Sequence, residues 1–459
     1  MQDTIQEALG HHQQGRFIEA EQLYRRILAV DPEHPDALHL LGMVAFQTGR
    51  SEEAATLIRK AIAIKGNVAA YHSNLGNVLE SQGKIVEAGV CYQRALLLKP
   101  DSAEIYVNLG NIFRAQGQLD SSLACYRRAT ALSPALADAA AAESAVLLLK
   151  GDFAAGWPGS EHRWQTSDHT TPPRDYPWPR WKGGPLASGR LLIWGEQGIG
   201  DEIMFAGLIP DILSDLACSG NRCILDCDPR LQPLFARSFP AIDVVTGFKP
   251  ATHPELQAES NVAAHLPSGS LPGLFRASSA AFAATTSPYL KPDPVQKARF
   301  RTRYADGRKL VGLAWYTSNK KTGRARSVDL SLFAPLFAAP GIRWISLQYG
   351  DHDALEKQAA AANAPILIDR EVDQLTSIDR FAAQVAAMDL VITIDNSTAH
   401  LTGALAVPTW VLLPFAPDWR WQLDREDSPW YPSVHLFRQP QIGDWPSVVA
   451  RVEDTLRVP

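Results

Sequence analysis

Cysteine is scarce and unpaired in this 459-residue sequence: five residues, at 91, 125, 218, 223 and 227, with no CxxC spacing. An odd, scattered set argues against a disulfide framework and a structural zinc site, and fits a reducing cytoplasm. Cys223 and Cys227 alternate with apolar residues in CILDC, the pattern of thiols buried in a strand rather than of metal ligands. Excess positive charge is lacking as well. Lys plus Arg number 44 against 49 Asp plus Glu, a net charge of −5 that offers no basic field to nucleic acid or an anionic membrane. Long apolar runs are missing too. The start, MQDTIQEALGHHQQG, has no apolar core of a secretion signal, and the most apolar late stretch, 390–415, is broken by Asp395, Asn396 and His400. A cytoplasmic protein without an integral membrane segment is expected. What is present is an ordinary globular composition, 46% hydrophobic and 20% charged, over a length that suits about three folded units.

The first third is periodic. Gly15, Gly49, Gly83, Gly117 and Gly151 recur every 34 residues, and Gly42, Gly76 and Gly110 keep the same step. Tyr24, Tyr92 and Tyr126, Ala20, Ala54 and Ala88, and Pro32, Pro100 and Pro134 stand in register with them. Each unit reads as a helical hairpin: small residues let paired helices approach, glycine permits the turn, the aromatic fills the gap to the next hairpin, and proline stops the second helix. The pattern resembles the tetratricopeptide repeat, an α-helical solenoid, over roughly residues 1–156. Such an array presents a concave face to a protein or peptide partner. Asn74 and Asn108, in NLGNVL and NLGNIF, occupy equivalent first-helix positions. They resemble the asparagine ladder with which O-GlcNAc transferase holds peptide backbone; bonds within or between hairpins are the alternative role. The stretch ALADAAAAESAVLLLKGDF keeps the period and reads as a last, degenerate hairpin.

Residues 157–189 change character, to a Pro- and Trp-rich linker whose Trp157, Trp164, Tyr176, Trp178 and Trp181 suit packing against a following domain. From 190 onward short apolar strands alternate with helical stretches, which predicts two Rossmann-like halves, 190–300 and 301–459, with the loop-rich 250–308 as hinge. In such sheets ligands bind beyond the carboxyl ends of the strands. There the first half carries GEQGIGD, with Gly195, Gly198 and Gly200 leading to Asp201, which is either an active carboxylate or a plain helix cap. The second carries LVITIDNSTAH, in which Asp395, Asn396, Ser397 and Thr398 open a helix and His400 sits in its first turn. A diphosphate there would accept the free N–H groups and the two hydroxyls, aided by the helix dipole. The loop YTSNKKTGRARS adds Lys320, Lys321, Arg324 and Arg326, either a solvated basic loop or a source of phosphate neutralisation. DWRWQLDREDSPWYP suits stacking on a base or sugar and domain packing equally well.

Taken together, the array, GEQGIGD, IDNSTAHLTGALAVPTW and DWRWQLDREDSPWYP resemble bacterial tetratricopeptide proteins with a glycosyltransferase domain related to heptosyltransferases. O-GlcNAc transferase is a more distant relative in layout. The resemblance implies a GT-B fold, with a nucleotide-sugar donor held mainly by the last domain. It implies Asp201 as general base on the acceptor hydroxyl, and Asp395 to Ser397 with His400 at the donor. Where heptosyltransferases usually have Thr and Gly, this chain has Asn396 and Ser397. Transfer would need no cofactor and no metal, since charge on the leaving group would be met by a helix N-terminus and basic side chains, without a defensible DxD-type metal site. A catalytically inactive, nucleotide-sensing scaffold is the alternative reading. A dinucleotide oxidoreductase lacks its GxGxxG fingerprint.

Overall fold

The computed structural model describes residues 2–166, 169, 171–217, 222–247, 261–285, 287–319 and 322–457. It divides into two compact units, 1–146 and 147–459. In the first, antiparallel hairpins follow one another: α1 (Gln2–Gln13) with α2 (Phe17–Val30), α3 (Pro35–Gln47) with α4 (Ser51–Ile64), α5 (Ala69–Ser81) with α6 (Ile85–Leu98), and α7 (Ala103–Ala115) with α8 (Leu119–Leu132). The periodic glycines explain the turns. Gly15, Gly49, Gly83, Gly117 and Gly151 all have φ between 73° and 83°. After each, the next N–H closes a bond to the carbonyl five residues back, as Arg50 does to Ala45 at 2.8 Å and Lys84 to Leu79 at 2.9 Å. This is the Schellman ending, which needs a left-handed residue at that place. The second glycine series serves close approach. A Cβ on Gly110 would lie 2.5 Å from the Tyr126 ring, and one on Gly76 2.6 Å from that of Tyr92. Those tyrosines are wholly buried. Pro32, Pro100 and Pro134 each fall just beyond the end of a second helix. The fifth hairpin, α9 (Ala137–Leu149) and α10 (Phe153–Ser160), forms as expected, and the boundary between the units runs through it.

The second unit holds two all-parallel sheets. Strands β1 (Arg190–Trp194), β2 (Arg222–Cys227), β3 (Asp243–Thr246) and β4 (Val262–Pro267) lie in the order β3-β2-β1-β4. The other sheet comprises β5 (Lys309–Ala314), β6 (Ile342–Ser346), β7 (Ile366–Leu367), β8 (Leu390–Ile394), β9 (Thr409–Leu413) and β10 (Val434–Arg438), in the order β10-β9-β8-β5-β6-β7. The latter is the doubly wound order of mononucleotide-binding sheets. Strands β1, β5 and β8 are buried along nearly their whole length, as sheets covered on both faces require. One core runs from the first sheet through Tyr289 and Leu290 to the helix after β8, so both halves form one body.

The structure departs from the expected loops in two places. The stretch 250–308, whose first part, 250–260, lies outside the described residues, is not a hinge alone. It contains β4, paired with β1 from Leu191↔Ala264 to Trp194↔Pro267, as well as the helix Pro294–Tyr304. VAAHLP has one β-branched residue and lies among Pro, Gly and Ser, so its strand pairing comes from tertiary contact rather than propensity. β10 and the closing helix Trp445–Arg457 are further elements that the alternation of strands and helices did not reveal. The linker aromatics pack inside this unit. Trp164 and Tyr176 lie against Trp194, Trp181 against Phe275, and Trp157 meets Trp419 edge-on at 5.3 Å while its indole N–H donates to the Arg276 carbonyl.

Candidate functional site

In each sheet the strand order reverses at one point, between β1 and β4 and between β5 and β8. GEQGIGD follows β1, Ser268 follows β4, the Trp315–Arg326 loop follows β5, and DNSTAH follows β8. The candidate motifs therefore occupy the switch-point crevices.

The two crevices face each other closely. Gly200, in the helix Ile199–Ala206, abuts the start of the helix Ser397–Ala404: a Cβ there would lie 3.0 Å from His400 Cδ2 and 3.4 Å from Ser397 Cα. Two helix N-termini, each a partial positive charge, thus converge and favour anionic groups between them. Carboxylates from the chain itself meet that field. Asp201 Oδ2 accepts the N–H of Gly198, the residue that caps its helix, at 3.2 Å, and its Oδ1 pairs with the Arg420 guanidinium. Arg420 also pairs with Asp418 at 2.6 Å and covers the Trp419 ring. Asp418 lies 3.6 Å from Arg326, whose Nε is 3.3 Å from Asp395. A continuous chain of charge, Asp201–Arg420–Asp418–Arg326–Asp395, links the halves with one carboxylate in excess.

Burial sets the electrostatics. It pushes the Asp395 carboxyl above its ordinary value, although Arg326 opposes it. Asp395 is 3% exposed, and its Oδ2 has no hydrogen-bond partner despite the nearby guanidinium. Asp418 moves the other way: burial raises it, but Arg420 and Arg326 together hold it at about 2. His400 is enclosed, stacked on Trp421 and bonded through Nδ1 to Tyr431 Oη at 2.9 Å. Burial, reinforced by Arg420, lowers it to about 3, so the ring is neutral and serves packing. Glu202, beside Asp201, lies against Gly195, where a Cβ would come 2.5 Å from its carboxyl carbon, and accepts the Asp228 N–H. Burial raises it to about 7. It borders a cavity of 10 Å³, room for about one water.

The predicted donor residues divide. Asn396 caps its helix, its Oδ1 taking the Thr398 and Ala399 N–H groups at 2.9 and 3.3 Å, so two of the amides expected for a phosphate are occupied by the chain. Thr398 is buried, whereas Ser397 keeps partial exposure beside Gly200. Of the basic loop, Arg326 reaches the site, Arg324 is exposed, and Lys320 and Lys321 lie outside the described residues. The loop is pinned by Gln348, whose Oε1 accepts the Trp315 and Tyr316 N–H groups, and by Ser327 Oγ, which accepts that of Thr317. Arg420 and Asp418 are central residues that the sequence did not single out. Their only signal was membership of an aromatic-rich loop, whose left-handed Gln422 and Asp424 mark an unusual backbone path. In the repeats, Asn74 bonds His39 at 2.8 Å and Asn108 bonds Asn77 at 3.2 Å, each linking neighbouring hairpins. Among the described residues no acidic, His or Cys group suited to a metal ion occurs, and no helix is long and apolar enough to cross a membrane.

Residues 11–77 and 67–135 each match a tetratricopeptide-repeat family, and the N-terminal region is accordingly a tetratricopeptide-repeat array, an architecture suited to protein partners. The chain is similar to protein FlbA of Caulobacter vibrioides, 34% identical over 333 residues, which cover 69% of this chain and 54% of the relative. It thus spans about half the length of that curated relative. Among solved structures it is similar to MamA from Desulfovibrio magneticus RS-1, with 18% identity over 35% of this chain and 89% of that one and a TM-score of 0.32. YrrB, a tetratricopeptide protein with an unusual peptide-binding site, is 21% identical over 35% of this chain and 82% of its own, with a TM-score of 0.31.

Proposed function

We propose that the α/β unit is a metal-independent, inverting GT-B glycosyltransferase, moving a sugar from a nucleotide-sugar donor to an acceptor hydroxyl, with the repeat array recruiting a protein that bears it. One observation carries this reading: the switch points of two parallel sheets face each other across paired helix N-termini, with a carboxylate on one side and two arginines on the other. In this scheme Asp201 takes the acceptor proton, while Arg326, Arg420 and the Ser397 end of its helix stabilise charge on the departing nucleotide phosphate. The closed state of the ion chain favours a second reading, a scaffold whose α/β unit has lost catalysis. Incubation of the full chain with radiolabelled nucleotide sugars separates the two. Slow donor hydrolysis is expected; absence of turnover with every common donor would leave the scaffold.

A further inference from the structure

Resting on the reading above, we infer that Arg420 is the cation that receives the donor's phosphate, and that it does so in exchange for Asp201. Donor loading and release of the proton-accepting carboxylate would then be a single event.

The ion chain shows why exchange falls on this pair. Arg420 has five N–H donors. One terminal nitrogen pairs with Asp201 Oδ1 and the other with Asp418 Oδ1, while its buried Nε has no hydrogen-bond partner. A phosphate offers several charged oxygens to such a fork, more than one carboxylate oxygen does. The three carboxylates are not equally able to leave. Asp395 is buried at the end of β8. Asp418 is fixed by its own turn, where its Oδ1 also accepts the Arg420 backbone N–H at 3.2 Å. Asp201 is no more exposed than Asp418, each 20% at its side chain, but it comes from the opposite half, belongs to no turn with Arg420, and keeps a second partner in the Gly198 N–H when Arg420 departs. The buried amide Nδ2 of Asn396, also without a partner, is a further donor at the same helix end. Until a phosphate arrives, the carboxylate needed for the acceptor hydroxyl is covered by the guanidinium needed for the donor. An empty enzyme therefore cannot activate an acceptor, and donor binds first.

The exchange predicts that removing the competing carboxylate strengthens donor binding. Isothermal titration of the full chain with UDP, ADP, GDP and CMP should show the best of these binding about tenfold more tightly to Asp201→Asn than to the unaltered protein. A general loss of negative charge would have a similar sign, so the cycle is completed in an Arg420→Lys background, read alongside thermal unfolding. There the gain from Asp201→Asn should shrink to less than about twofold, because a compact ammonium does not hold both partners. Equal or weaker binding by Asp201→Asn, or a gain that persists in full in the Arg420→Lys background, overturns the exchange while leaving the glycosyltransferase reading in place. If none of the four nucleotides binds the unaltered protein or Asp201→Asn, the glycosyltransferase reading falls and the exchange with it.

Discussion

Arg420 pairs with Asp201 across 219 residues of sequence and so ties the loop after β9 to the helix after β1. Its removal takes the nearest countercharge from two carboxylates, Asp201 and Asp418, in a largely enclosed site, leaving the first with the Gly198 N–H and the second with the more distant Arg326. Breaking such a pair from one side costs about 3 to 5 kcal/mol, because the leftover charge stays desolvated. Arg420→Ala should therefore lower the stability of the 147–459 unit by about that much, and Arg420→Lys by less. Intrinsic fluorescence during denaturant unfolding is the suitable probe, since all 12 tryptophans lie in this unit. A loss under about 1 kcal/mol for Arg420→Ala would mean that the chain is a surface decoration.

Asp201 separates two roles by magnitude. The structure places it at the third position of its helix, not at the cap, which is Gly198; as a first-turn carboxylate alone it would contribute about 0.3 to 1 kcal/mol to stability and nothing to rate. As general base it would contribute about 10²- to 10⁴-fold to turnover. With saturating donor, Asp201→Asn is expected to fold normally and turn over at least about 100-fold more slowly. Near-normal steady-state turnover would take Asp201 out of the chemistry.

The repeat array was legible because its signals are local: one glycine fixes a turn with φ near 80°, and its neighbour in the second series fixes a helix contact, every 34 residues. Parallel strands such as LVITI announce themselves by unbroken apolar runs, but their order in the sheet depends on contacts that spacing does not encode. β4 escaped because VAAHLP becomes a strand only beside β1, with Trp181 N–H bonding the His265 carbonyl on its other edge. At the site, the clustered cations of the 320–326 loop drew attention through density, yet Arg326 is the one whose described contacts reach the carboxylates. Arg420 stood in a loop where tryptophan packing was an equal explanation, and its decisive partner is distant in the chain.

Two buried groups give opposite pH responses over one window. His400 stays neutral in the fold until about 3, whereas the unfolded imidazole protonates near 6.5, so its contribution is lost as pH falls below about 6.5. Glu202 titrates in the fold at about 7 and in the unfolded chain near 4.5, so its contribution is complete below 4.5 and is lost as pH rises through 7. The two should nearly cancel in the unaltered protein between about pH 6.5 and 4.5. His400→Gln should become more stable on acidification over that range, by about 2 to 3 kcal/mol, and Glu202→Gln less stable by a similar amount. Asp395, raised by burial, favours the acid side in all three proteins and drops out of the comparison. Parallel pH profiles for the two variants in tryptophan-detected urea melts would contradict these environments.

In the array, Gly110 and Tyr126 form a fixed pair, the ring occupying the space that a side chain at 110 would need. Tyr126 is wholly buried and donates from Oη to Asn111 Oδ1 at 2.7 Å, so the ring cannot simply swing away. Gly110→Ala should cost about 1 to 3 kcal/mol by overpacking, despite alanine's better helix propensity. Far-UV circular dichroism melts of the isolated change, and of Gly110→Ala with Tyr126→Leu, would show whether a smaller residue restores stability. An unchanged melt for Gly110→Ala alone would remove the close approach as the reason for the glycine.

If the proposed function holds, recruitment by the array is separable from chemistry in the α/β unit. A chain beginning at Ala137 keeps the last hairpin, whose Leu148 shares a core with Phe153 and Trp157, so the α/β unit retains its own packing. It lacks the four hairpins whose repeated surface would hold a protein. With a labelled donor and whole-cell extract as the source of acceptors, this shortened chain should hydrolyse donor at the full-length rate while label in protein falls at least about tenfold, the scale of losing one of two linked binding modules. Equal labelling of protein by the two chains would place acceptor selection in the α/β crevice itself, with the repeats serving some other partner.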